Sequence, residues 1–136
     1  MIWQAKHSDI PALLEMGVQF HAYSPWSALP YDRDAVRGVL ETAIDQGGVW
    51  MSESGMCGGV IHPLYFSPTK RIAAELFWWS PTGGRELRQA FETWAKDHGA
   101  SHIQCSALHD EHLPAVTRLY ERAGYRPAEV SFVKEL

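Results

Sequence analysis

Residues that could bind a phosphate group are concentrated in the segment Leu76–Arg88, which reads LFWWSPTGGRELR. Its first residues predict a strand and the residues after Gly84 predict a helix, so a glycine-containing loop opens directly onto a helical turn. That turn has backbone N–H groups without intrahelical acceptors and carries the positive end of the helix dipole, which together attract anions. Gly83 and Gly84 have no Cβ that would keep a phosphate away from the backbone.

Two arginines, Arg85 and Arg88, lie in the first turn of this predicted helix. A cation there interacts unfavourably with the helix dipole, at a cost of roughly 0.3–1 kcal/mol. A phosphorylated ligand bound at the loop would offset this cost. The same residues also fit an ordinary glycine turn whose arginines extend into solvent. The loop lacks the Gly-Lys-Ser/Thr of a P-loop and the GxGxxG pattern, which argues against a nucleoside triphosphatase and a dinucleotide oxidoreductase.

The composition is that of one globular domain, residues 1–136. The chain is 46% hydrophobic and 21% charged, and its formal net charge of −4 argues against a nucleic-acid partner. Cys57 and Cys105 form no CxxC pair and indicate a reducing, cytoplasmic environment. No apolar run approaches the ~20 residues of a membrane span, so we expect no membrane partner.

The elements that must position the glycine loop are predicted in the order β-α-α-β-β-β-α-β-α-β, an α+β (α/β mixed sheet) fold with helices flanking the sheet. The helix after Gly84 is the clearest, because Leu87, Phe91 and Trp94 recur at helical spacing. Pro63 indicates a bulge or an edge position in its strand. Helices are expected from Ser8 or Asp9, from near Asp32 to Gly47, after Gly84 to Gly99, and at Pro114–Ala123. Strands are expected at Met1–Lys6, Val49–Ser54, Met56–Phe66, Lys70–Trp79, His102–Ala107 and Val130–Leu136.

The fourth predicted helix ends in the run Leu119-Tyr120-Glu121-Arg122-Ala123-Gly124-Tyr125. This run is similar to the apolar-x-x-Leu-Tyr-Glu-Lys-x-Gly-Phe signature of the GCN5-related N-acetyltransferases, whose element order and glycine loop the chain also resembles over nearly its whole length. In the family's Arg/Gln-x-x-Gly-x-Gly/Ala loop, this chain has Trp79 at the Arg/Gln position, Thr82 at the first glycine and Gly84 at the second. The loop is shorter than usual and resembles that of small acetyltransferase-like proteins of phage genomes.

The resemblance implies transfer of an acetyl group from acetyl-CoA, a co-substrate, to an amine that attacks the thioester directly in a ternary complex. The pyrophosphate would lie on the backbone of Thr82, Gly83, Gly84 and Arg85, near Arg88. The pantetheine arm would extend along Leu76, Phe77 and Trp78 as an added strand. A backbone N–H near Trp78 would stabilise the developing oxyanion.

The resemblance also implies two residues for proton transfer. Glu75 lies on the strand that leads to the loop and would accept the proton of the amine; it could equally be an outward-facing strand residue. Tyr120 of the Leu-Tyr motif would protonate the leaving thiolate; it could equally be an aromatic residue that packs with Val116 and Ala123.

An acceptor site is expected at Tyr23, Trp26 and Tyr31, an aromatic group around the loop between the first two helices. The resemblance places the acceptor there, and the acceptor would be an amine-bearing small molecule or a protein lysine or N-terminus. In the alternative interpretation, Trp26 anchors the loop into the core.

The densest histidine group, His109-Asp-Glu-His112, has no visible third partner, so no metal is expected. The competing functional hypothesis is a catalytically inactive protein of the same fold. Such a protein would bind a protein partner or form a homodimer through its aromatic surface.

Overall fold

The computed structural model describes all 136 residues and separates them into two compact units, Met1–Ser106 and Ala107–Leu136. The second unit contains one helix, α4 (Leu113–Arg122). In the first unit, a 3-10 turn at His7–Asp9 precedes the first of three helices, α1 (Ile10–Tyr23), α2 (Arg33–Asp45) and α3 (Arg85–Asp97). Its strands are β1 (Trp3–Gln4), β2 (Val49–Met51), β3 (Met56–Leu64), β4 (Ser67–Trp79) and β5 (His102–Gln104). None of the helices has both the length and the apolar character needed to cross a membrane.

The five strands form one mixed sheet in the order β1-β2-β3-β4-β5. The first three pairings are antiparallel, and β4 pairs with β5 in parallel. A parallel pair cannot be joined by a hairpin, so the chain crosses from β4 to β5 through α3. The predicted α+β fold with a mixed sheet is confirmed.

The two faces of the sheet are covered by different helices. Successive strand residues point to opposite faces, so on β3 Met56 packs with α1 and α2 whereas Cys57 packs with α3. The buried side chains that α1 and α2 contribute to the first face include Ile10, Leu13, Leu14, Leu40, Ala43 and Ile44. Those that α3 contributes to the second are Leu87, Phe91, Trp94 and Ala95, which confirms its predicted apolar stripe.

Both ends of α2 are fixed by hydrogen bonds. At its start, the Asp32 carboxylate accepts the backbone N–H groups of Asp34 and Ala35 at 3.0 and 3.1 Å, as the predicted helix start near Asp32 requires. Just past its end, the Gln46 carbonyl accepts the Trp94 indole N–H at 3.2 Å, and its side-chain oxygen accepts the Ile61 N–H at 3.1 Å. Gln46 therefore ties α2 to the sheet and to α3.

Strand β4 is irregular on one side and open on the other. Its register with β3 shifts between Gly58 and Gly59, because Phe77 pairs with Gly58 and Glu75 with Gly59, leaving Leu76 as an extra residue. A second shift lies between Pro63 and Leu64, which confirms the predicted irregularity at Pro63. On its other side, β4 pairs with β5 only from Ile72 to Ala74. From residue 75 onward that edge has no strand beside it.

The predicted C-terminal strand Val130–Leu136 is wrong. These residues form neither helix nor strand, and Val130, Phe132, Val133 and Leu136 are exposed. Alternating apolar residues make a strand only when another strand satisfies their backbone groups, and residues 130–136 pair with none. Strand β5 is likewise shorter than predicted, since it ends at Gln104 instead of Ala107.

Replacing Asp32 by alanine is expected to lower the free energy of unfolding by about 1 kcal/mol, because two N–H groups at the start of α2 lose their acceptor. Denaturant unfolding measures the change. Asp34→Ala is the control, since Asp34 lies in the same turn and accepts neither N–H; its loss should be smaller. Equal losses in both variants would contradict the capping role of Asp32.

Candidate functional site

The loop of residues 80–84 connects the end of β4 to the first turn of α3. The Ser80 hydroxyl donates to the Gly83 carbonyl, and the first intrahelical bond runs from the Arg88 N–H to the Gly84 carbonyl at 3.0 Å. The backbone N–H groups of Arg85, Glu86 and Leu87 have no acceptor within the protein. Three donors at the positive end of α3 are therefore available to an anion.

The two positions of this loop require glycine for different structural reasons. Gly83 has a φ of +98°, a backbone conformation that residues with a side chain rarely adopt. A Cβ at Gly84 would lie 2.3 Å from the Trp78 indole nitrogen, so Gly84 is required for the indole to pack under the loop. A Cβ at Gly83 would have no atom within 4 Å, and the backbone there is therefore open to a ligand.

Arg85 and Arg88, equivalent in the sequence interpretation, lie in different environments. Arg85 is exposed at the start of α3. Arg88 is only 7% exposed, and its guanidinium forms an ion pair with Glu92 one turn later, while its Nε has no hydrogen-bond partner. Of the two, Arg85 is the one positioned to meet a ligand from solvent.

The remaining predicted cofactor residues lie along the open edge of β4 and in the loop after it. Leu76 is 46% exposed, Phe77 packs on the face covered by α1 and α2, and Trp78 packs on the α3 face. The Thr82 hydroxyl lies 3.2 Å from the Ser54 hydroxyl, which connects the loop to the turn between β2 and β3. An extended ligand could pair with this edge and end at the first turn of α3.

Glu75 projects toward α3. It pairs with Gly59 and is two residues after Ala73, which belongs to the α3-side core. Burial raises the pKa of the Glu75 carboxyl to about 7. The pKa of the neighbouring Cys57 thiol is also raised, first by burial and then by the negative charge of Glu75.

A cavity of about 230 Å³ lies on the opposite face of the sheet, between α1, α2 and the strands. The side chains that line it are mostly apolar, and the polar ones are His21, Ser24 and Tyr31. The full lining consists of Leu13, Gly17, Phe20, His21, Ser24, Trp26, Tyr31, Val36, Val39, Leu40, Met56, Leu76 and Phe77. Because Leu76 and Phe77 belong to β4, the cavity reaches the irregular part of that strand.

The structure brings two of the three predicted acceptor residues to this cavity. Trp26 and Tyr31 line it, whereas Tyr23 is 67% exposed and its ring lies 5.5 Å from that of Trp79. The Tyr31 hydroxyl donates to the Leu14 carbonyl at 3.3 Å. Burial raises the Tyr31 pKa, so the phenol stays protonated and keeps this bond.

His21 is a lining residue that the sequence interpretation missed. It lies on α1, one turn after Gly17 and two turns after Leu13, both of which line the cavity. This helical spacing from a buried leucine is the signal that could have identified it.

Tyr120 lies on α4 in the second unit, where it is half-buried and its ring is 5.1 Å from that of Tyr125. Its role as a proton donor stays a prediction. No three His, Cys, Asp or Glu side chains are grouped to hold a metal ion.

No family model matches this chain, and no curated protein matches it. Solved structures do. A Trypanosoma brucei acetyltransferase is 14% identical, with a TM-score of 0.68 over 100% of this chain and 99% of that one. A predicted acetyltransferase from Clostridium acetobutylicum with acetyl-CoA is 10% identical, with a TM-score of 0.69 and coverage of 99% and 95%. AAC(6')-Iy, in complex with the bisubstrate analogue CoA-S-monomethyl-acetylneamine, is 12% identical, with a TM-score of 0.68 and coverage of 100% and 97%. At sequence identities of 10% to 14%, these matches show that the chain shares the fold of these proteins.

The raised pKa of Glu75 predicts that stability falls as pH rises. In the unfolded chain the carboxyl loses its proton near its ordinary pKa of about 4.3, whereas in the folded chain it holds the proton up to about pH 7. The folded state therefore binds more protons between these values, and its stability decreases through that range. The free energy of unfolding of Glu75→Gln relative to that of the wild type should therefore rise by roughly 1–3 kcal/mol between pH 5 and pH 8.

Denaturant unfolding at the two pH values measures this difference. Glu53→Gln, at an exposed position in the turn between β2 and β3, is the control and should keep the wild-type pH dependence. If Glu75→Gln keeps that dependence as well, the buried carboxyl is not its source.

Proposed function

We propose that this chain, which has the fold of the GCN5-related N-acetyltransferases, transfers an acetyl group from acetyl-CoA to an amine. One observation carries the proposal: the edge of β4 that has no strand beside it past Ala74 leads through a glycine loop to N–H groups of α3 that have no acceptor. An extended ligand that ends in phosphates matches both parts of this surface. Acetyl-CoA is such a ligand, and it supplies an acyl group activated as a thioester.

The phosphate end is proposed to lie on the first turn of α3. The N–H groups of Arg85, Glu86 and Leu87 would donate to phosphate oxygens, and the open backbone of Gly83 permits close approach. The exposed Arg85 side chain adds a positive charge. Arg88 would act from a distance, because its side chain is buried and paired with Glu92 on the same helix.

The pantetheine end is proposed to pair with β4 from Leu76 to Trp79. These residues have no strand beside them on the β5 side, so their backbone groups there can accept an extended chain in the manner of an added strand. The irregularity at Leu76 alters the direction of the backbone groups at this point. A backbone N–H near Trp78 is the proposed donor to the oxygen that gains charge during transfer.

Glu75 is the proposed base. A pKa of about 7 is close to the value that a general base needs at neutral pH. Its side chain is on the α3 face and the cavity is on the other, so we propose that a water at the open edge of β4 relays the proton. Tyr120 is the proposed proton donor for the leaving sulfur, because a phenol with an ordinary pKa of about 10 is protonated at neutral pH.

The acceptor is proposed to be an amine that enters the cavity lined by Trp26 and Tyr31. A small-molecule amine fits a space of about 230 Å³ better than a lysine presented on a folded protein surface. Leu76 and Phe77 line the cavity and belong to β4, so such an amine would lie next to the β4 segment proposed for the thioester.

Arg85→Glu is expected to weaken acetyl-CoA binding at least tenfold, because it reverses the one exposed positive charge in the first turn of α3. Isothermal titration calorimetry measures the dissociation constant. Arg37→Glu on α2 makes the same charge change at an exposed position away from the loop and should bind as the wild type does.

Thermal unfolding of the wild type provides a second measurement. Acetyl-CoA at 100 times its dissociation constant should stabilise the fold by about 2.7 kcal/mol. An absence of stabilisation at millimolar acetyl-CoA would favour the inactive, partner-binding alternative.

Tyr120→Phe keeps the ring and removes the hydroxyl, so it tests the proposed proton donor alone. We expect unchanged folding, nearly unchanged acetyl-CoA affinity, and turnover lower by one to three orders of magnitude, which is roughly 1.4–4 kcal/mol of barrier. Steady-state release of CoA with an accepted amine measures the rate. Wild-type turnover in this variant would show that Tyr120 is not the proton donor and that it serves only as a packed aromatic residue.

A further inference from the structure

We propose that the cavity on the α1 and α2 face selects a primary amine that carries a single aromatic ring, with its nitrogen hydrogen-bonded to His21. This inference rests on the proposed function, because it takes the cavity to be the acceptor site. It adds the chemical class of the acceptor and a residue that recognises its nitrogen.

The size of the cavity limits the acceptor to about one ring and a short arm. Apolar cavities of about 150 Å³ bind benzene, and sites for drug-sized ligands begin at about 300 Å³. The cavity here, at about 230 Å³, lies between these values. A multi-ring sugar amine would extend beyond this space.

The chemistry of the lining excludes a polycation. No Asp or Glu lines the cavity, and its walls are formed by aliphatic and aromatic side chains such as Phe20, Val36 and Phe77. Each additional ammonium group of a polyamine would lose its hydration there without gaining a carboxylate partner, which is unfavourable. An aromatic ring has no charged group whose hydration would be lost, and its apolar surface is removed from water in the cavity.

The hydrogen bonds of the lining leave one acceptor side chain without a partner, because the indole N–H of Trp26, which also lines the cavity, can only donate. The Tyr31 hydroxyl donates to the Leu14 carbonyl, and the Ser24 hydroxyl donates to the His21 carbonyl at 2.8 Å while accepting the Trp26 N–H at 3.2 Å. The His21 imidazole has a ring contact with Tyr31 at 5.4 Å and no hydrogen bond. An imidazole nitrogen can accept an amine N–H, so His21 is the group left to recognise it.

A glycine keeps this arrangement in place. A Cβ at Gly17 would lie 2.2 Å from the Tyr31 hydroxyl oxygen, so only glycine lets Tyr31 reach across α1 to Leu14. Tyr31 is thereby fixed as a wall of the cavity, with its hydroxyl already engaged.

The cavity is tested with 2-phenylethylamine as the probe, titrated into the full chain with and without CoA. Val39→Phe fills the cavity from a half-exposed position, and Val18→Phe makes the same change on an exposed part of α1 outside the lining. We expect binding in at least one of the two states, a loss of tenfold or more in Val39→Phe, and wild-type affinity in Val18→Phe.

The role of His21 is tested with His21→Phe, which keeps a ring and removes both nitrogens. Its affinity for 2-phenylethylamine is compared with that for (2-methoxyethyl)benzene, which has the ring but no N–H. We expect the amine to lose three- to tenfold more affinity than the ether, which is the range of one hydrogen bond. Equal losses would remove His21 from amine recognition.

Three results would overturn the proposed acceptor class while leaving acetyl transfer intact. One is acetyl-CoA binding without any binding of 2-phenylethylamine. A second is tighter binding of hexanoyl-CoA than of acetyl-CoA, with the difference in affinity lost in Val39→Phe and kept in Val18→Phe. That result would show that the cavity holds the acyl chain instead of the amine. The third is turnover of an aminoglycoside in preference to 2-phenylethylamine. Failure of acetyl-CoA itself to bind is a separate measurement and bears on the proposed function instead.

Discussion

The parallel pairing of β4 and β5 is the constraint from which the candidate site follows. Parallel neighbours need a long crossover, and the chain provides it with a short loop and the thirteen residues of α3. The positive end of α3 is therefore set directly beyond the end of β4. The pairing lasts for only three residues of each strand, so no strand lies beside the rest of β4, which leads to that helix end.

The sheet separates two kinds of environment that the proposed chemistry would use. The α3 face holds the buried ionisable groups Glu75, Cys57 and the Arg88–Glu92 pair. The α1 and α2 face holds an apolar cavity without carboxylates. Removing charges from water is costly unless they are paired, so Arg88 needs Glu92 close by. The free edge of β4 lies where these two environments meet.

Local patterns in the sequence predicted much of this architecture. The helix start near Asp32, the apolar stripe of α3 and the irregularity at Pro63 each depend on residues close together in the chain, and each is confirmed. The strand at residues 130–136 was predicted from the same kind of pattern and is wrong, because a strand depends on a partner that no local pattern specifies.

The site was less predictable, because its residues are distinguished by tertiary contacts. Arg85 and Arg88 have the same side chain in the same turn, and only packing buries one of them. A signal did exist: Arg88 is seven residues before the buried Ala95, which places both on one side of α3. The environment of Glu75 and the cavity beside His21 depend on contacts between distant segments, which residue spacing alone does not determine.

The environment of Cys57 has a practical consequence for enzymology. Thiolates, not neutral thiols, react with disulfide reagents and maleimides, and Cys57 is buried with its pKa raised well above the ordinary value. The folded protein therefore presents Cys105 as its more accessible thiol. A colorimetric assay that titrates the free thiol of released CoA would carry a background of at most one equivalent per chain, and a maleimide dye could label one position for fluorescence without altering the core.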